Sequence, residues 1–100
     1  MLLNHFRTYE LAVALYRLCK EIALPHYLKD QLLRASSSVA LNLAEGSAKP
    51  SQKDKLRFYH IALGSLRETQ AILDLEPIAT RSLIKSVDLL GAHLYKLCNP

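Results

Sequence analysis

Pro25, Gly46 and Pro77 cut this chain of 100 residues into four stretches of apolar periodicity. A proline disfavours helical geometry in the residue before it, so Pro25 and Pro77 read as stops. Gly46 reads as a C-terminal cap. No alternating strand pattern and no Asn-Gly or Asp-Gly hairpin signal competes with a helical reading. The spacing predicts helices over about 8–24, 26–46, 52–75 and 79–98.

Each stretch carries its own start signal or stripe. In the first, Thr8 is a candidate N-cap, Glu10 suits the positive end of the dipole, and Leu11, Leu15, Leu18 and Ile22 share a face. In the second, Leu32, Ala35, Val39 and Leu43 align. Ser51 and Asp54 form a capping-box-like pair that opens the third. Leu83, Val87, Leu90, Leu94 and Leu97 align in the fourth. Short connections force neighbouring helices to run antiparallel. The expected fold class is all-α, an up-down-up-down four-helix bundle in a single domain, 1–100.

Composition narrows the function classes. Half of the residues are apolar, enough for a modest core without staples. The longest run without Asp, Glu, Lys or Arg is the ten residues Ala35–Ala44, too short to cross a bilayer. The start, MLLNHFRTYE, lacks the pattern of a signal peptide. The expectation is a cytoplasmic protein with no membrane partner. Cys19 and Cys98 are too few for a disulfide scaffold, and alternating helices would hold them far apart, so both are expected to be reduced. Net charge is +4, and it is unevenly placed: residues 1–67 carry ten Lys/Arg against five Asp/Glu.

Helix 3 has more apolar surface than one core stripe needs. Leu56, Tyr59, Leu63, Leu66 and Leu73 share the expected core arc, with Gln70 among them. A second arc holds Phe58, Ile61, Ala62, Ser65, Thr69 and Ile72. Left in water it would form a contiguous apolar patch, so Phe58, Ile61, Ala62, Thr69 and Ile72 are the candidate oligomer interface. Tyr9, Val13 and Tyr16 repeat the hint on helix 1. The third arc holds Lys53, Arg57, His60, Gly64 and Arg67, with Lys49 close to the helix start.

Helix 2 carries a polar stripe beside its apolar one. Gln31, Arg34, Ser38, Asn42 and Glu45 fill an arc of about 80°. On an antiparallel helix 3, Ser65 and Glu68 come level with Arg34. The expectation is a partly buried Arg34–Glu68 pair, with Glu45 directed at the free N–H groups of the first turn of helix 3. The stripe then fixes helix register and subunit contacts.

The stretch QLLRASSSVALNLAEG followed by FYHIALGSLRE resembles a bacterial four-helix-bundle family. That family is named for reading frames within intervening sequences of large-subunit ribosomal RNA genes. The chain also resembles the accessory variability determinant of diversity-generating retroelements. The family pattern is Q-x-x-R-A-x-x-S-[IV]-x-x-N-[IL]-A-E-G, then I-A-x-G-S-x-x-E. Gln31, Arg34, Ala35, Ser38, Val39, Asn42, Leu43, Ala44, Glu45 and Gly46 match the first part. Ile61, Ala62, Gly64, Ser65 and Glu68 match the second. The usual arginine before Arg34 is here Leu33. The resemblance implies a ring-like homopentamer, and in the retroelement relatives a basic pentamer that binds nucleic acid and a reverse transcriptase.

Motifs for chemistry are missing from the sequence. None of Glu10, Glu21, Glu45, Glu68 and Glu76 has histidine three residues later, as an inward di-iron site needs. His5, His26, His60 and His93 are scattered, and no Cys/His spacing suits zinc. There is no phosphate loop and no nucleophile elbow, and Ser36–Ser38 have no histidine nearby in sequence. The expected protein is a non-enzymatic oligomeric accessory or scaffold protein without cofactor or metal. Its candidate nucleic-acid-binding residues are Lys49, Lys53, Arg57, His60 and Arg67, contacting RNA or DNA phosphates without reading bases. The alternative is a purely structural or protein-partner-binding assembly whose charge is incidental. A third option, a small-molecule bundle, would need a pocket beside Arg34 and Asn42.

Overall fold

The structure is a computed structural model, and it describes residues 6–76 and 80–100. Four helices follow one another: α1 Arg7–Lys20, α2 His26–Ser47, α3 Gln52–Leu75 and α4 Arg81–Cys98. The described residues contain no strand. The protein is all-α, as its periodicity predicts. The principal neighbours of α1 are α2 and α4, those of α3 are again α2 and α4, and α2 packs most extensively on α3. The molecule measures 40 × 23 × 22 Å. At 1.5 Å per residue the 24 residues of α3 span about 36 Å, so this helix fills the long dimension.

The core lies where these four stripes meet. Leu15, Leu32, Leu43, Leu66, Leu90 and Leu94 are fully buried, one or two from each helix. Burying such side chains supplies about 1.5–3 kcal/mol each, the main source of stability in a chain this short. Two buried hydroxyls sit among them. Ser36 donates to the Leu32 carbonyl at 2.8 Å and Thr69 to the Ser65 carbonyl at 2.9 Å, so each is satisfied within its own helix. Cys19 and Cys98 are free and buried.

Several helix ends differ from expectation. Ser51 caps α3 as its sequence predicts, accepting from the Asp54 N–H at 3.1 Å. Thr8 is not a cap: Phe6 holds that position and Thr8 is buried inside α1. Helix α1 stops at Lys20 rather than 24 because a residue from the next helix takes over its end. The Lys29 ammonium donates to the carbonyls of Cys19 at 3.1 Å and Lys20 at 2.8 Å, and to that of Ile22. These carbonyls lie at and just beyond the C-terminus of α1, where a cation is favoured by the dipole. Pro25 therefore opens α2 from the N-cap position rather than closing α1. The expected start of the last helix at 79 and the stop at Pro77 lie outside the described residues; α4 begins behind Thr80, whose hydroxyl accepts from the Leu83 N–H at 3.2 Å.

Gly46 is a further correction. It lies inside α2, which continues to Ser47, and no glycine among the described residues has positive φ. Its reason is space. A Cβ there would lie 2.8 Å from Tyr59 Cε1 and 3.0 Å from Phe58 Cβ, so only glycine lets the end of α2 meet the start of α3.

Candidate nucleic-acid interface and the polar seam

Three contacts set the register of α2 on α3. Near the connection, Lys55 donates to the Ser47 carbonyl at 2.9 Å, and Gly46 receives the Tyr59 ring. Farther along, Ser65 donates to the Ser38 hydroxyl at 2.9 Å. Later residues of one helix thus meet earlier residues of the other. The seam between them is polar at its middle: Asn42 Nδ2 donates to Ser38 Oγ at 3.0 Å and to the Ser38 carbonyl at 2.8 Å.

The expected stripe therefore divides by side-chain length. Ser38, Asn42 and Ser65 are half-buried and bond to one another. Gln31, Arg34, Glu45 and Glu68 are exposed. The expected Arg34–Glu68 pair does not form; the ion pairs among the described residues are His26–Asp30 at 3.4 Å and Glu45–Lys49 at 3.4 Å. Glu45 thus meets Lys49, while Ser51 serves the first turn of α3. Two short hydroxyls fit the interior of the seam at little desolvation cost. A guanidinium would have needed a buried carboxylate to offset its own.

The candidate interface arc is corrected in the same way. Ala62, Thr69 and Ile72 are buried within the bundle, and Ser65 is engaged with Ser38. Of the arc only Ile61, 47% exposed, and half-buried Phe58 reach the surface. Because α3 has two principal neighbours, its buried arc is wide enough to take both apolar stripes. Gln70, assigned to the core, is exposed, and Leu56 and Leu63 are half-buried.

The basic arc lies at the surface. Lys53, Arg57, His60 and Arg67 are all exposed along α3, and half-buried Lys49 lies just before it. Lys49 and Arg57 share an aromatic seat: the Lys49 ammonium is 5.1 Å and the Arg57 guanidinium 5.2 Å from the Phe58 ring centre. Such contacts hold long side chains that would otherwise sample many rotamers. Lys53 and Arg67 are 14 residues apart, about 21 Å along the helix. Among the described residues, Glu45 at Lys49 supplies the one carboxylate within ion-pairing distance of this arc.

Other chemistry finds little support in the geometry. No group of three or more His, Cys, Asp or Glu side chains gathers at metal-binding distance among the described residues. A cleft of about 180 Å³ lies between α3 and α4, lined by Gln70, Leu73, Asp74, Leu83, Ile84, Val87 and Asp88, away from Arg34 and Asn42. Burial raises the Cys19 and Cys98 thiols above their ordinary range, the reverse of what a nucleophile requires. Burial raises the Tyr59 hydroxyl as well. No described helix is long and apolar enough to cross a membrane.

The family model of the 23S rRNA-intervening sequence protein matches residues 6–89, which takes in the polar seam and the whole basic arc. The chain belongs to this family. No curated protein and no solved structure matches it. Within this member of the intervening-sequence family, the sequence pattern missed Tyr27, Leu41 and Leu75, which are 68%, 67% and 69% exposed. The available signal was the seven-residue spacing Tyr27, Arg34, Leu41, which lies outside the core stripe of α2.

Proposed function

We propose that this protein is a non-enzymatic, cytoplasmic accessory or scaffold protein, an antiparallel bundle that self-assembles and binds nucleic acid electrostatically. The observation that carries the reading is the exposed row Lys53, Arg57, His60 and Arg67, joined by Lys49 and, among the described residues, almost free of carboxylate partners. Cations left unpaired on one helix face are available to phosphates, and contacts of this kind position a duplex or strand without reading its sequence. Assembly multiplies the effect. Five copies, the number the family resemblance implies, would carry roughly +20, enough to steer a polyanion to the surface.

Fluorescence anisotropy of a structured RNA and of a DNA duplex, titrated at 50 and 200 mM salt, tests this. Four neutralised phosphates predict that affinity falls by about a hundredfold or more between the two salts. Arg57→Glu and Arg67→Glu should each weaken binding at 50 mM and flatten its salt dependence. Absence of binding at 50 mM would leave the positive charge a solvating surface.

A further inference from the structure

The cleft between α3 and α4 is part of a longer groove. A second cleft of about 240 Å³ continues the first, and the two share Gln70, Val87 and Asp88. The rims are two straight rows. On α3 the row is Leu63, Arg67, Gln70 and Asp74, and on α4 it is Ile84, Asp88, Gly91 and Tyr95. Steps of four, three and four residues keep each row on one side of its helix. Buried Leu66, Leu73, Leu83 and Val87 form the floor. Ile84 and Tyr95 are 11 residues apart, about 17 Å along α4.

Shape and charge together say what fits there. Ile84 and Tyr95, 51% and 63% exposed, offer apolar surface at the two ends of the α4 rim. Between them, a Cβ on Gly91 would lie 3.7 Å from Leu66 Cδ2, an ordinary contact, so packing on α3 does not demand a glycine. The missing side chain leaves the groove open toward Tyr95. The charged residues of the first cleft are Asp74 on one rim and Asp88 on the other, both exposed and without an ion-pair partner among the described residues. Arg67, the cation of the rims, stands toward the Tyr95 end. A cleft of one sign over an apolar floor focuses its field, so a cation seated near Gln70 is held by two carboxylates and a phosphate is repelled. The described residues include no strand whose edge could hold an extended peptide. A groove between two helices takes a third, with apolar anchors three, four and seven residues apart.

We propose that the α3–α4 groove docks a basic amphipathic helix of a partner protein, its apolar anchors on the floor between Ile84 and Tyr95 and a lysine or arginine between Asp74 and Asp88. This goes beyond the nucleic-acid reading and does not rest on it. It adds a protein partner, held beside Arg67 at one edge of the basic arc.

Fluorescence anisotropy on the full chain tests it, with circular dichroism to confirm that each variant folds. The probe is a labelled helical peptide of about 14 residues, with leucine at every third or fourth position, lysine beside each leucine and alanine elsewhere. A second peptide carries glutamate for every lysine. The lysine peptide is expected to bind with Kd below about 100 µM, and the glutamate peptide at least tenfold more weakly. Asp88→Lys and Ile84→Glu each weaken the lysine peptide at least fivefold. Leu89→Glu, exposed on α4 but outside the groove, leaves its affinity unchanged. No binding up to about 1 mM, equal binding of the two peptides, or binding indifferent to Asp88→Lys overturns the proposal. Sedimentation velocity and RNA titration of the peptide-free variants supply the remaining outcomes. If Ile84→Glu lowers the mass of the protein the groove is covered by a second copy, and if it abolishes RNA binding the groove belongs to nucleic acid; either result overturns the proposal.

Discussion

The inner and outer sides of the α2–α3 pair use the same kinds of residue for different ends. Gly46 and Gly64 make the contrast plain. At Gly46 the neighbouring helix occupies the space of the missing side chain, with Tyr59 at 2.8 Å. At Gly64 the same space is empty. The inner glycine is explained by the fold, while the outer one meets no obstacle that would require it. The serines and the charges divide likewise, with Ser38 and Ser65 bonded inside the seam, and Arg34 and Glu68 on its surface without an ion-pair partner among the described residues.

Two leucines two residues apart, on opposite faces of α2, offer the hardest test of that division. Leu43 is fully buried and Leu41 is 67% exposed. Leu43→Ala is expected to cost about 2–5 kcal/mol, lost transfer energy plus a cavity. Leu41→Ala, in protein dilute enough to be monomeric, should stay within about 0.5 kcal/mol. Urea unfolding followed by circular dichroism measures both. Similar losses for the two would mean that the outward face is packed within the protomer after all.

The glycine pair comes next in size. Gly46→Ala gains helix propensity of about 1 kcal/mol but forces a Cβ into a buried ring and the Phe58 Cβ. Overpacking of this kind costs about 1–3 kcal/mol, so a net loss is expected. Gly64→Ala meets no such obstacle and should stabilise the monomer by up to about 1 kcal/mol. Thermal melts of the two variants should therefore move in opposite directions. A destabilised Gly64→Ala would show that the position has a role inside the protomer.

Alkaline pH probes the inner side alone. The Cys19 and Cys98 thiols and the Tyr59 hydroxyl are raised, chiefly by burial, from ordinary values of 9.0, 9.0 and 10.0. For a group whose folded value lies above its unfolded one, the unfolded state gives up its proton first as pH rises. The stabilising contribution is thus complete below about pH 9 and declines above it. Unfolding midpoints measured from pH 7 to 11 should fall beyond pH 9. Cys19→Ala should make that fall shallower, whatever it does to stability at pH 7. An unchanged profile would remove Cys19 from the account.

The same inner–outer division governs what could be read from the sequence. Four helices were legible because apolar periodicity is repeated many times over. Ser51 was legible because a cap needs only a partner three residues away. The end of α1 was not legible, since it is set by Lys29 reaching back from the next helix, a contact that no local window contains. Gly46 was misread as a cap for a related reason: a glycine near a helix end has two uses, and only the position of Tyr59 separates them. The interface arc on α3 failed because a single-stripe core was assumed. A helix between two principal neighbours buries a wider arc, and Ala62, Thr69 and Ile72 fall inside it. The exposure of Lys53, Arg57, His60 and Arg67 was legible because charged side chains without a partner stay in water.

Arg34 carries the smallest expected effect and the sharpest consequence for that reading. Were it paired with Glu68 in the interior, Arg34→Ala would leave a buried carboxylate unpaired and cost about 3–5 kcal/mol. In the structure both groups are exposed and neither has an ion-pair partner among the described residues, so the monomer should lose no more than about 0.5 kcal/mol. The two cases differ by enough to shift a denaturant midpoint unmistakably. An unchanged monomer midpoint separates the outer face from the inner seam in one side chain. A large fall in the monomer midpoint would return Arg34 to the interior and join the two faces into one.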